Sequence, residues 1–406
     1  LLPLSLIVPT YNRSYLRAAL AVGAIAERGR LGPLLVFIFI WTTIVYDPVA
    51  CWTWNGAGWS FVLGGLDFAG GTPVHIVSGT AALAISVYLG KRKGYGTERL
   101  AYKPHNTTYV VLGTVFLWFG WFGFNGGSAL SANVRAIQAC IVTNLAASVG
   151  GITWMLLDYR IEKKWSAVGF CSGAISGLVA ITPASGYVGS RMSKRLYPEY
   201  RLLTQFPLAA AVLFGFMGGL VCNFATQLKF LAGYDDALDV SSIQNFDSNI
   251  VQLFFQIFAT HGVGGIVGNL LTGIFAQASV AGFDGVTEID GGWLDGHWIQ
   301  FAYQLADSVA GLAYSFGVTE VSEPPLNECL KLNTLPLQTI ILWIMHFIPG
   351  LRLRADEESE IVGIDDAEMG EFAYDYVGIE QEIGHSTETP AKSSRSSNEK
   401  TEAPAA

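Results

Sequence analysis

Long apolar runs with few or no charged side chains alternate with short polar stretches along this chain, and that alternation sets its organisation. Leu34 to Trp54 is the first full-length run and is rich in aromatic residues. Thr72–Gly90, Tyr109–Leu130, Ile137–Leu157, Val168–Gly189 and Phe206–Leu228 follow, and a longer uncharged stretch extends from Asn249 to Phe283. A run of ~18 or more residues with so few charges is long enough to cross the hydrocarbon core of a bilayer as a helix. Trp298–Val318, despite Asp307, and Leu337–Ile348 add either two helices or one interrupted helix, while Ala18–Ala26 amounts to half a span ended by Glu27, Arg28 and Arg30. The pattern predicts an all-α polytopic membrane protein with about eight to nine spanning helices.

Composition agrees with the pattern. Of the 406 residues, 51% are apolar and 14% charged, against roughly 25% charged in a soluble domain. The 46 glycines suggest helices that approach closely through small side chains. The net charge of -9 argues against a nucleic-acid partner, although much of it lies beyond Asp356. Five cysteines lack metal-like spacing, and their odd number leaves at least one unpaired; small buried packing residues are the simplest reading of them.

Loop charge supplies an orientation. The stretches Glu27–Arg30, Lys91–Lys103, Asp158–Lys164 and Lys229 hold nearly all the loop lysines and arginines and fall on one side, which the positive-inside rule makes cytoplasmic. The loops Asn55–Gly71 and Ser279–Gly296 then lie outside, and the C-terminal tail inside. Arg191, Lys194, Arg195 and Arg201 break this pattern.

Two segments carry candidate chemistry. Asp67-Phe-Ala-Gly-Gly-Thr-Pro-Val-His75 places an acid and an imidazole at the two ends of a turn that enters an apolar run, and His261 lies in another. Ionisable groups in a membrane segment cost about 2.5 to 3.5 kcal/mol on insertion scales and mark a pathway, a relay or a buried structural pair. Each histidine is either a core residue bonded to a helix carbonyl or part of one path along which imidazoles donate, accept and pass protons. Asp67 suits a helix cap, and as a carboxylate it would also draw a cation toward the outer mouth. Trp54, Trp121, Phe122 and Phe124 read equally as an interfacial belt or as aromatic faces for a small cation, with Ser128 one turn beyond Phe124. Neither a metal nor a cofactor is implied, since the histidines have no further ligand nearby in sequence.

These motifs, with Gly120-Trp-Phe-Gly-Phe-Asn125, Cys171-Ser-Gly-Ala-Ile-Ser-Gly-Leu-Val-Ala180, Thr182-Pro-Ala-Ser-Gly-Tyr187, His261-Gly-Val-Gly-Gly-Ile266 and Leu271-Thr-Gly-Ile-Phe-Ala276, resemble the ammonium transporter family (Amt/Mep/Rh), fungal Mep type. The resemblance implies a plasma-membrane, multi-pass homotrimer with a pore in each subunit, eleven membrane helices in two inverted repeats plus one, and ammonium or ammonia as substrate. By position, His75 and His261 match the twin pore histidines and Asp67 the essential acid below the external site. Trp54 and Ser128 match the ammonium-accepting vestibule, and Phe124 matches a gate phenylalanine; Trp121 and Asn125 belong to the same motif. Asp235, Asp236 and Asp239 match a cytoplasmic loop, and Gly363–Tyr376 the regulatory tail.

The departures from the family pattern define an expected organisation: an atypical leader at residues 1–17, a transmembrane domain at 18–350, a cytoplasmic regulatory tail at 351–385 and a disordered tail at 386–406. The first two and a half family helices have no counterpart before Ala18. Residues 190–205, 240–256 and 320–339 look extra, as retained introns would, and the first of these accounts for the misplaced basic cluster. The expected activity is ammonium transport, with an ammonium sensor signalling through the tail, or a non-functional truncated product, as alternatives; no enzyme chemistry is expected.

Overall fold

The computed structural model describes residues 23–92, 106–189, 210–226, 257–316 and 337–370. Helices joined by turns make up nearly all of its regular structure. Among the described residues an isolated bridge between Gly29 and Arg354 is the only strand-type pairing. The expected leader, the extra segments apart from residues 337–339, the tail beyond residue 370, and Asp235, Asp236 and Asp239 lie outside the described residues.

Helix α1 starts as Leu31–Trp41, passes through a wide π-helical turn at Thr42–Tyr46 and continues as Asp47–Trp54. Pro48 cannot donate to the turn before it, and the wide turn absorbs that mismatch. Helix α2 opens with a similar turn at Gly71–Ile76, which contains Pro73, and runs on as Val77–Leu89. Helix α3 is Thr107–Gly127, α4 Val134–Glu162 and α5 Ala167–Ile181. Each of these three is capped by a side chain, since Asn106, Asn133 and Ser166 accept from the amides of Tyr109, Ala136 and Gly169 at 3.2, 2.9 and 2.8 Å.

Helix α6 is Ala210–Ala225, α7 a third π-helical turn at Phe258–Val263 followed by Gly264–Phe275, α8 Gln300–Phe316 and α9 Leu337–Phe347. Among the described residues six stretches are long and apolar enough to cross a membrane: Leu31–Leu63, Gly71–Leu89, Thr107–Gly127, Val134–Ile161, Ala167–Ala184 and Phe258–Phe275. That is fewer than the eight to nine expected. Helices α6, α8 and α9 are shorter, and residues outside the described set adjoin each of them. The protein is thus a multi-spanning all-α membrane fold.

Two interfaces are set by missing side chains. A Cβ on Gly150 of α4 would strike the carbonyl oxygen of Gly173 on α5, and one on Gly173 would strike that of Gly150. Likewise a Cβ on Gly79 of α2 would meet the backbone of Gly262, with its Cα at 2.8 Å. Such close backbone approach takes the place of the hydrophobic drive that lipid cannot supply between helices. Elsewhere large side chains fill the space: Phe37, Trp41, Tyr46, Ile85, Leu342 and Met345 join α1, α2 and α9.

At the basic-loop end the described tail packs onto the bundle. Arg354 donates to the carbonyl oxygens of Leu89 and Lys91 at 2.7 and 3.0 Å and pairs with Glu360 at 2.9 Å. The amide of Arg30 donates to Leu353 O at 2.8 Å, and that of Ala355 to Arg28 O at 2.9 Å. The loop arginines are not simply a solvated basic face, because Arg28 and Arg92 are buried and Arg92 pairs with Glu27 at 2.6 Å. The expectation for the cysteines needs a similar correction: Cys171 and Cys222 are buried, but Cys51 is exposed on the outside of α1 and Cys140 is half-buried.

Candidate functional site

Both histidines occupy π-helical turns, His75 in Gly71–Ile76 and His261 in Phe258–Val263. A π turn is one residue wider than an α turn, and such turns recur where a helix must redirect a side chain. The contact between Gly79 and Gly262 brings the two turns together. Their imidazoles face each other with Nδ1 to Nδ1 at 3.2 Å, and both residues are buried. One ring must therefore present an N–H to the bare nitrogen of the other, which gives the pair complementary tautomers. The reading of each as a solitary core histidine does not describe this geometry.

Aromatic rings of α3 line the pair. Trp121 lies almost parallel to His75, with centroids 5.4 Å apart and planes at 11°. Phe124 is 6.1 Å from His75 and 5.7 Å from Trp121. The indole N–H of Trp121 donates to the Thr182 hydroxyl at 2.9 Å, and that hydroxyl donates to Leu178 O at 2.7 Å, so the ring is held against α5. Asn125, in the same motif, donates to the Thr143 hydroxyl at 2.8 Å and ties α3 to α4. The hydroxyl of Ser128 donates to Phe124 O at 2.8 Å at the end of α3.

Asp67 is bound by backbone. Its Oδ1 accepts from the amides of Gly70 and Gly71 at 2.7 and 2.8 Å, and Oδ2 from that of Thr72 at 2.8 Å. Its own carbonyl accepts from the indole N–H of Trp54 at 2.9 Å. Asp67 thus caps the turn that carries His75, satisfying amides that begin a helix without partners and placing negative charge at its positive end. Gly70, at φ +119°, gives the chain the sharp bend this wrap requires.

Two charged groups near this cap were not singled out from the sequence. Asp307 is buried on α8 and accepts from the hydroxyls of Ser60, at 2.5 Å, and Thr72. In the sequence it reads only as a tolerated interruption of an apolar run. Arg135, buried at the start of α4, has its guanidinium 4.7 Å from the ring centre of Phe68 and 4.9 Å from that of Tyr187. It donates to Gly186 O at 2.9 Å, to Asp284 at 2.8 Å and to Thr287 at 2.9 Å. Desolvation works against the Asp284 charge, but bonds from the Thr287 hydroxyl and amide, the Val286 amide and Arg135 outweigh it and hold the carboxyl far below its usual range. A partner 149 residues away leaves no local signal in the sequence. Among the described residues no group of three or more His, Cys, Asp and Glu is placed to hold a metal.

The sequence profile of the Ammonium Transporter Family matches residues 5–193 and 204–374. It begins inside the expected leader, and its break falls within the first of the three segments read as extra; the other two lie in matched sequence. The chain is 47% identical to Ammonium transporter 1 of Schizosaccharomyces pombe over 389 residues, covering 94% of this chain and 67% of that protein. It is 44% identical to Ammonium transporter MEP2 of Saccharomyces cerevisiae over 362 residues, covering 88% of this chain and 62% of that one. The crystal structure of Candida albicans Mep2 superposes with a TM-score of 0.67 at 46% identity, over 86% of this chain and 65% of that one. The chain therefore spans about two-thirds of the length of these relatives. Paired buried imidazoles, a multi-spanning bundle and a profile match along most of the sequence agree: this chain belongs to the ammonium transporter family.

Proposed function

We propose that the chain moves ammonium or ammonia across the plasma membrane through the path lined by His75 and His261. The observation that carries this reading is the buried pair of imidazoles whose Nδ1 atoms lie 3.2 Å apart. Ammonium is held at the outer mouth by the aromatic face of Trp54, the hydroxyl of Ser128 and the field of Asp67. A bare cation is costly in apolar surroundings, so ammonium gives up a proton as it passes Phe124 and Trp121 and travels on as ammonia. The paired imidazoles accept and donate hydrogen bonds to the neutral molecule and offer a route for the proton.

In this reading residues 18–350 form the pore domain, which works as a homotrimer in two inverted repeats, and 351–385 form a cytoplasmic regulatory tail. Attachment of Arg354 to the end of α2 supports a tail that acts on the helix carrying His75. The break in the family profile at 194–203 supports reading residues 190–205 as extra to the pore, and sequencing of mature message decides whether these residues, 240–256 and 320–339 are retained introns.

The test is flux of ammonium and potassium through proteoliposomes holding the full chain, with and without His75→Ala. The variant is expected to abolish ammonium-specific conduction or to change its selectivity. Unchanged rate and selectivity would remove the histidines from the mechanism. Absence of flux in the parent chain, with ammonium-dependent signalling that needs the tail, would favour a sensor.

A further inference from the structure

Helix α8 turns a polar stripe toward the segment that carries Asp67 and His75. Gln300 donates to Gly64 O at 2.8 Å, and Gln304 exchanges two bonds with the Leu66 backbone, each 2.7 Å. One and two turns further along, Asp307 takes the hydroxyls of Ser60 and Thr72, and Gly311 leaves room for the Thr72 methyl. The spacing is helical, and every one of these residues is buried.

Thr72 is the node of this network. Its amide is held by Asp67, and its hydroxyl donates to Asp307 and accepts from Asn269 Nδ2 at 2.6 Å. Asn269 lies on α7, just over two turns beyond His261, and its Nδ2 also donates to Ser308 at 2.9 Å. A carboxylate accepts at both oxygens and donates at neither. Asp307 therefore commits the Thr72 proton to α8 and leaves the Thr72 oxygen open to the amide from α7. Three helices, two of them bearing the paired histidines, are locked in height through one hydroxyl.

We propose that Asp307 is a positioning residue for the His75–His261 pair, acting through Thr72 to fix the His75 turn against α7. The proposal rests on the transport reading for its effect on flux, but its geometric content stands apart from transport.

The test uses the purified full chain and compares Asp307→Ala, Asp307→Asn, Thr72→Val and Thr72→Ser by hydrogen–deuterium exchange and by ammonium-over-potassium selectivity in proteoliposomes. Asp307→Ala is expected to raise exchange at residues 66–80 by about tenfold, the scale of one lost buried hydrogen bond, while 167–181 stay unchanged, and to lower selectivity by a similar factor. Thr72→Val should reproduce both effects, with the double variant falling well short of the product of the two single ones because their shared bond is lost only once, and Thr72→Ser should restore both. Asp307→Asn, which keeps one acceptor oxygen, should fall between. If Asp307→Ala does not fold, Asp307→Asn and Thr72→Val decide. Unchanged exchange at 66–80, or effects of Asp307→Ala and Thr72→Val that multiply in the double variant, overturns the proposal. A parent chain without ammonium flux counts against the transport reading, and the exchange data then decide the positioning role alone.

Discussion

Helices α2 and α3 both furnish the site, yet they are built in opposite ways. In the apolar window of α2, 83% of residues are buried, against 11% in that of α3. Helix α2 is enclosed on every side, by α1, α7, α8 and α9. Helix α3 buries Thr114, Trp121, Asn125 and Gly126, a narrow stripe, and turns Val115, Phe116 and Phe119 outward. Proximity to the imidazole pair does not follow burial here: the exposed helix α3 sets Trp121 and Phe124 against His75, while the enclosed α2 carries His75 itself. An outward apolar face in such a bundle suits lipid or another chain.

The contrast makes its largest prediction at Gly79. Gly79→Ala forces a methyl into the Gly262 backbone, and overpacking of this kind costs about 1 to 3 kcal/mol. The variant is expected to unfold at clearly lower temperature in detergent; an unchanged transition would mean that the α2–α7 contact yields easily.

Trp121→Phe removes the indole donor and leaves the ring. It should lower stability by about 0.5 to 1.5 kcal/mol, read as a lower unfolding temperature in detergent, and alter ammonium flux in proteoliposomes.

Asp284→Asn probes the α4 end of the same wall. Because the Asp284 carboxyl is held below its ordinary value of 3.8, its contribution is complete above that value and is lost only as pH falls through the lower folded value. Protease resistance of the loop at residues 278–296 should therefore stay level as pH drops from neutral toward 3.8 and fall below it, whereas the variant should be cleaved faster at neutral pH, with the difference shrinking as pH falls below 3.8.

The smallest effect is expected at Phe119, which is 75% exposed. Phe119→Ala should change monomer stability by no more than about 0.5 kcal/mol. A larger drop, dependent on protein concentration, would show that a second chain covers this face.

Spans and the central pair were legible in the sequence because membrane insertion writes itself locally, as charge-free runs in which an isolated His75, His261 or Asp67 stands out. The cap at Asp67 was equally readable, since Gly-Gly-Thr supplies its amides within five residues. What stayed hidden depends on distance in the chain. Asp307 and Arg135 owe their importance to hydroxyls, rings and carboxylates brought in from other helices. The π-helical turns also escaped, because one extra residue per turn has no compositional mark. Asn125, singled out with the pore residues, is placed as a tie to Thr143, a distinction that the motif alone does not carry.

The backbone contact between Gly150 and Gly173 has a mechanical consequence. Where two helices touch main chain to main chain, neither can slide past the other without driving backbone into backbone, so this contact fixes the height of α4 against α5. Around α1 and α9, by contrast, phenylalanine, tryptophan, isoleucine and methionine side chains fill the gap between the helices. Arg354 fastens the tail to the end of α2, on the side filled by side chains, so a load on the tail reaches that packing and not the main-chain contact of α4 with α5.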